Sequence, residues 1–241
     1  MTNRNPDQAR PSYAKKYEVT YMNKIPKAFK TNVQSLAIAL VAALVFFGMN
    51  STAQAVQLVE GQNYVLVSPP QPTSTKNKIE VRELFWYGCP HCFHLEPYVK
   101  RWLKTKPANV EFVRMPAVLN PSWELLARAY YTAQILGIVD KIHTPLFDAI
   151  HQKRQRMNSE GEIMEFFKKF GVPEDKFRRI FRSFAVETKI RRSRDMGLRY
   201  GARGVPTVIV NGKYRTGAEE AGSPSKVFKV VDQLIKLEES K

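Results

Sequence analysis

Ile79-Glu-Val-Arg-Glu-Leu-Phe-Trp-Tyr-Gly-Cys-Pro-His-Cys92 decides the reading of this chain. It joins a strand pattern to a helix start, and it holds the only two cysteines in 241 residues. Strand side chains alternate between faces, so Ile79, Val81, Glu83, Phe85 and Tyr87 share one face and Glu83 stands among four apolar neighbours. Gly88 ends the strand, and Pro90 suits the first helical position, where no N–H is needed. The helix is predicted to run to about Lys104 with a kink at Pro97. Two cysteines two residues apart can close a disulfide on themselves. With the first at a helix N-terminus, its thiolate is stabilised and the pair becomes a reactive dithiol rather than a staple. No third cysteine exists for another disulfide or a four-thiolate metal site.

Toward the N-terminus, Leu36 to Met49 is an uncharged apolar run, preceded by Lys24, Lys27 and Lys30 and followed by Ala53-Gln-Ala55. This order is that of a cleavable signal peptide, and the run is short of the roughly 20 residues that span a bilayer. Residues 1–55 are therefore expected to be a leader. Met22 would give it ordinary length and is a candidate true start. The exported remainder would sit in an oxidising compartment, where a disulfide persists.

Toward the C-terminus, Tyr64 to Val67 reads as an edge strand and Ser68 to Thr73 as a proline-rich loop. Val110 to Met115 is a second core strand. From about Pro116 to Tyr200 the pattern is helical, in segments Trp123–Leu136, a helix capped by Asp140 and running to about Gln152, Ser159–Phe170, Pro173–Ser183 and Val186–Tyr200. Ser159-Glu-Gly-Glu162 has capping-box spacing. Val205 to Val210 returns to strand, Asn211-Gly212 predicts a hairpin turn, Lys213 to Thr216 pairs back, and Ser223-Pro224 opens a last helix. The expected organisation is an α/β frame in two parts, 56–115 and 201–241, around an all-helical insertion at 116–200.

The strand–Cys-Pro-His-Cys–helix junction, the acid six positions ahead of Cys89, the long helical stretch and Gly204-Val-Pro-Thr207 before a Val-Asn-Gly-Lys-Tyr hairpin together resemble the DsbA family. The resemblance covers about residues 60–238. It departs in having Phe93 after the second cysteine, where the family often has Tyr. It implies a thioredoxin fold carrying a helical subdomain. It also implies a periplasmic thiol:disulfide oxidase of a Gram-negative bacterium that places disulfides in exported proteins. Cys89 would be the nucleophile, helped by Pro90 at the helix start and by His91. Cys92 would be the resolving thiol, Glu83 a buried acid that exchanges protons for it, and Val205 with a cis Pro206 the substrate-binding segment. No cofactor or metal is implied beyond the Cys89–Cys92 disulfide. The implied partners are unfolded exported proteins and a quinone-linked membrane oxidase resembling DsbB. The implied chain is a monomer, and Trp86 is a candidate for lining the client groove.

Other readings of the same residues are a disulfide reductase or isomerase, and a non-catalytic periplasmic chaperone or metal-binding module. Too few residues precede the catalytic strand for the separate dimerisation domain usual in isomerases. Cys89, Cys92, His91 and His94 make a poor zinc set, since structural zinc wants four convergent ligands and His91 lies between the cysteines. Haem attachment needs His where Phe93 stands. His94, His143 and His151 read as lone histidines. The formal charge of +16 includes a dense patch from Arg178 to Arg194, read as a solvated helix face, and an exported chain makes nucleic acid an unsuitable partner.

Overall fold

Residues 58–241 are described by a computed structural model; the leader, its cleavage site and Met22 lie outside them. Among these residues five strands form one mixed sheet: β1 (Val65–Leu66), β2 (Ile79–Phe85), β3 (Val110–Pro116), β4 (Thr207–Val210) and β5 (Tyr214–Gly217), in spatial order β1-β5-β4-β2-β3. β2 and β3 are parallel and are joined by helix α1 (Pro90–Leu103), as a parallel pair requires a crossover. The other pairings are antiparallel. The helices α2 (Glu124–Ile135), α3 (Val139–His151), α4 (Glu160–Lys168), α5 (Glu174–Phe181) and α6 (Phe184–Arg199) lie between β3 and β4 in the chain, and α7 (Val227–Glu239) closes it.

β2 is the strand that positions the chemistry. It lies between β3 and β4, and every residue from Glu80 to Phe85 is buried. Val81 joins an apolar cluster with Leu95 and Val99 of α1 and Val230, Val231 and Leu234 of α7. Leu84 joins a second cluster with Tyr200 and Ile209. Phe85 and the two cysteines belong to a third, which is filled mainly by the inserted helices. The reactive pair therefore sits where the sheet frame and the insertion share a core. Glu80 and Arg82 are buried together as a pair at 2.6 Å, with Ser74 Oγ donating to Glu80 at 2.6 Å.

The strand ends at Phe85, two residues before the expected Tyr87. Phe85 O still accepts from Ala117 N–H at 2.8 Å, but Trp86 O turns back to accept from Cys89 N–H at 3.0 Å. That turn tilts the chain out of the sheet and into α1. Asp140 lies in the first turn of α3 but does not cap it; the cap residue is Ile138, without a side-chain bond. Gly137, at φ +69°, ends α2, and Lys141 N–H and Ile142 N–H already donate to Ile138 O at 3.1 Å, so α3 starts ahead of the expected cap. α6 starts two residues earlier than expected because Ser183 Oγ accepts from Val186 N–H at 3.3 Å. Ser159 caps α4 as its spacing implies, while Glu162 reaches back to Asn158 N–H at 2.8 Å. The helical basic patch is laced with carboxylates: Arg178 and Arg182 contact Glu160, and Arg194 contacts Glu124. Exposed pairs of this kind contribute little stability.

The Asn211-Gly212 turn carries positive φ at both residues, and Lys213 N–H donates to Val210 O at 3.0 Å. Both features match the hairpin turn its sequence predicts. Gly212 is needed for a second reason: a Cβ there would overlap the Gln71 carbonyl, whose own N–H donates to Gly212 O at 2.9 Å. Gly212→Ala is expected to cost about 1–3 kcal/mol through this overlap, lowering the denaturation midpoint without changing the thiol chemistry; an unchanged melting curve would contradict the backbone approach.

Candidate active site

Cys89 is the N-cap of α1, with extended backbone (φ −89°, ψ 116°) and Pro90 as the first helical residue. The first N–H groups of a helix have no partner inside it, and the helix dipole is positive at this end. The Cys89 sulfur takes up that capacity by accepting from Cys92 N–H at 3.4 Å. Its thiol ionises at about 6 instead of the usual 9.0. The largest cause is a hydrogen bond from the Cys92 thiol; burial opposes it, and the backbone N–H groups of Cys92 and His91 and the His91 charge add to it. Cys92 is the opposite case. It is fully buried, and burial holds its thiol well above the ordinary value. Both cysteines are unbridged. The arrangement supplies one ready thiolate at the helix N-terminus, with little of it exposed, and one protonated thiol fully enclosed behind it, as the i, i+3 spacing suggested.

Across the groove mouth, Cys89 Sγ donates to Val205 O at 3.4 Å, and the Val205–Pro206 peptide is cis. The segment lies just before β4 and faces the sulfur as the motif implies. A cavity of 780 Å³ opens beside it, lined by His91, His94, Arg203, Gly204, Val205 and Pro206 among others. Trp86 is absent from this lining. It stacks on Trp123 at 4.7 Å and 6° instead, because the turn into α1 points its ring toward the insertion. Gly88 is required beneath that ring, since a Cβ there would overlap it.

Glu83 is completely buried and does not reach solvent. Burial raises its carboxyl to about 8, with Arg114 opposing and Glu96 adding to the rise. Strand register explains Arg114: β2 and β3 pair so that Glu83 and Arg114 are direct partners. Arg114 Nε lies 3.3 Å from Glu83 Oε2, yet neither Glu83 oxygen nor that Nε makes an aligned hydrogen bond. The contact is one of charge. Arg114 Nη2 instead bonds both oxygens of Glu96, at 3.1 and 3.3 Å. Glu96 in turn faces His143 Nε2 at 3.0 Å, and His143 Nδ1 meets the Tyr87 hydroxyl at 2.9 Å. Burial alone would raise the Glu96 carboxyl, but the His143 and Arg114 contacts outweigh it and hold it below the ordinary value.

The family model described as a DSBA-like thioredoxin domain matches residues 80–224. The chain belongs to the DsbA family. It is 41% identical over 204 residues to the thiol:disulfide interchange protein DsbA of Pseudomonas syringae pv. tomato, covering 84% of this chain and 94% of that one. The Pseudomonas aeruginosa protein of the same name is 38% identical over 200 residues, covering 83% and 94%. Among solved structures, Pseudomonas aeruginosa DsbA superposes with a TM-score of 0.72 at 37% identity, covering 76% of this chain and 95% of that one. The oxidoreductase DsbA from Xylella fastidiosa gives 0.71 at 32%, covering 76% and 99%. The thioredoxin fold with its helical subdomain follows, and the enzyme class is thiol:disulfide oxidoreductase.

Within this DsbA frame, the structure brings Cys89, Pro90, His91, Cys92, Glu83, Val205 and Pro206 to one junction. It also corrects the view of His143 and His151 as lone histidines: both reach the junction from α3, His151 by donating Nε2–H to Tyr87 O at 2.8 Å. Arg114, Glu96, His143 and Tyr87 escape a reading of the sequence because they become neighbours only through strand register and helix docking. The sequence did leave two traces: Tyr87 on the face of Glu83, and Arg114, which with Glu111 is one of two charges in the strand pattern Val110 to Met115. Among the described residues no cluster of three or more His, Cys, Asp or Glu is arranged to hold a metal ion, and no helix is long and apolar enough to cross a membrane.

Proposed function

We propose that this chain acts as a disulfide donor to newly exported proteins in the periplasm, delivered there by the leader in residues 1–55. The observation that carries the reading is the placement of the two sulfurs: Cys89 caps the N-terminus of α1 and faces Val205 O, while Cys92 is fully enclosed one turn behind it. A stabilised thiolate favours the reduced protein, so its disulfide is readily given away. A client thiolate attacks Cys89 Sγ, the Cys89–Cys92 bond breaks, and its electron pair goes to Cys92. The Glu83 carboxyl gives its proton to the leaving Cys92 thiolate. A second client thiolate then attacks the client sulfur bound to Cys89 and releases Cys89 as a thiolate. Pro90 starts α1 at the point where Cys89 needs its N–H groups, and His91 adds positive charge beside the sulfur. Val205 and Pro206 give an extended client backbone groups to pair with by strand addition. The reduced monomer is recharged by a quinone-linked membrane oxidase resembling DsbB, so no cofactor is needed in this chain itself.

Equilibration of residues 56–241 with glutathione buffers tests this. A Cys89–Cys92 couple more oxidising than glutathione is the expected result. A couple well to the reducing side would overturn the donor reading in favour of a reductase. A Cys89→Ser/Cys92→Ser double variant that retains full function would overturn both in favour of a non-catalytic module.

A further inference from the structure

One helix of the insertion grips the reactive junction on both sides of the cysteines. From α3, His143 Nδ1 meets the Tyr87 hydroxyl and His151 Nε2–H donates to the Tyr87 carbonyl. The His151 ring also stacks on Phe93 at 5.1 Å and 21°. α3 thus holds the residue two before Cys89 and the residue directly after Cys92.

The state of His143 follows from Glu96, whose two oxygens accept from the Arg114 guanidinium and are therefore ionised. An ionised carboxylate only accepts, so the His143 nitrogen facing Glu96 carries the hydrogen, and Nδ1 accepts from the Tyr87 O–H. Burial lowers the imidazole's ionisation, with Arg114 and Lys100 acting in the same sense and Glu96 against them. The ring is neutral. The groups that face this cluster are Glu83 on β2, Tyr87 in the turn that follows it, Glu96 and Lys100 on α1, Arg114 on β3 and Tyr130 on α2. Phe85 and Phe147 close the sides of the imidazole, each at 5.2 Å.

Charge is then limiting. The Arg114 guanidinium faces two buried carboxyls, and a buried charge must be paired and hydrogen-bonded to persist. Glu96 has aligned donors from Arg114 and His143; Glu83 has none. The negative charge therefore belongs to Glu96 and the proton to Glu83. Without the His143 donor the two carboxyls would compete for Arg114 on more equal footing.

We propose that His143 is a positioning residue for disulfide exchange: by donating Nε2–H to Glu96 it fixes the buried negative charge there and leaves the proton on Glu83. This rests on the donor reading above and deepens it by naming what keeps Glu83 able to protonate the leaving thiolate.

His143→Phe keeps a ring packed between Phe85 and Phe147 and removes both nitrogens. Glu96 then binds its proton more tightly, Arg114 turns its charge to Glu83, and Glu83 ionises at lower pH. The infrared carboxyl band of protonated Glu83, identified by its loss in Glu83→Gln, is expected to titrate near 8 in the parent and about one unit or more lower in His143→Phe. His143→Gln can still donate to Glu96 and accept from Tyr87, and is expected to restore the parent titration. An unchanged band in folded His143→Phe overturns the proposal. If that variant does not fold, His143→Leu is read in the same way, and a His143→Gln titration shifted as far as that of the apolar variant overturns it too. The measurement uses resting protein without client, so it stands apart from the potential. An oxidising couple with an unmoved band leaves the donor reading intact and removes His143 from it. A reducing couple with a shifted band does the reverse.

Discussion

A Cys89→Ser chain is expected to keep its fold and lose disulfide exchange down to the uncatalysed background, whereas Cys92→Ser should accumulate mixed disulfides on Cys89. The asymmetry follows from position. Cys89 is the sulfur at the end of α1 that meets the groove and ionises near neutrality, and only a thiolate attacks or leaves readily. A hydroxyl at that place cannot form the mixed disulfide at all. Cys92 is completely enclosed, so a client reaches it only after Cys89 has been engaged. Replacing it removes the intramolecular escape from the Cys89 adduct and leaves the adduct standing. Incubation with a peptide disulfide, followed by intact-mass measurement, reads both outcomes. An adduct on Cys92 in the Cys89→Ser chain would reverse the assignment of the two sulfurs.

The second large effect is on stability. The reduced protein should gain stability over the oxidised protein as the pH rises from about 6 to about 9. Cys89 ionises at about 6 in the fold against 9.0 ordinarily. A depressed ionisation adds stability that is complete above the unfolded value and disappears as the pH falls through the folded value. The displacement sets a ceiling of about 4 kcal/mol. Cys89 lies at the mouth of the groove, where solvent screening reduces the gain to about 2 kcal/mol. Glu83 works in the other direction. Its carboxyl is raised from 4.5 to about 8, so the fold holds a proton that the unfolded chain releases, and stability falls as the pH rises between those values. Glu83 is present in both redox forms, so the difference between the forms reports the two thiols: Cys89 widens it from about pH 6, and Cys92, held protonated in the fold, opposes it only as the pH approaches the ordinary thiol value of 9.0. Denaturant unfolding of both forms at several pH values from 6 to 9 measures that difference. A gap that does not widen with pH would show that the thiolate is not held by the helix end. Glu83→Gln should raise the stability of both forms at pH 8 without narrowing the gap.

The chemistry and the frame are legible along the chain. Two cysteines, a proline at the first helical position and an apolar strand before them place a reactive pair at a helix N-terminus, because each of those signals is local. Glu83 was legible too, since a carboxylate in period-two register with apolar residues has a strand core as its surroundings. The hairpin was legible through Asn211-Gly212, whereas the cis bond at Val205-Pro206 was implied only by the family resemblance. What surrounds Glu83 was decided only by tertiary structure. Arg114 reaches it through the parallel register of β2 and β3, Glu96 through the docking of α1 on the sheet, and His143 and His151 through the packing of α3 more than 50 residues downstream of Cys89. The placement of Trp86 against Trp123 was decided in the same way. Periodicity specifies which face of an element is buried; it carries no information on which side chain of another element will be pressed against that face. Where a buried proton resides depends on all of those neighbours at once, so it is settled only when the frame and the insertion have closed on each other.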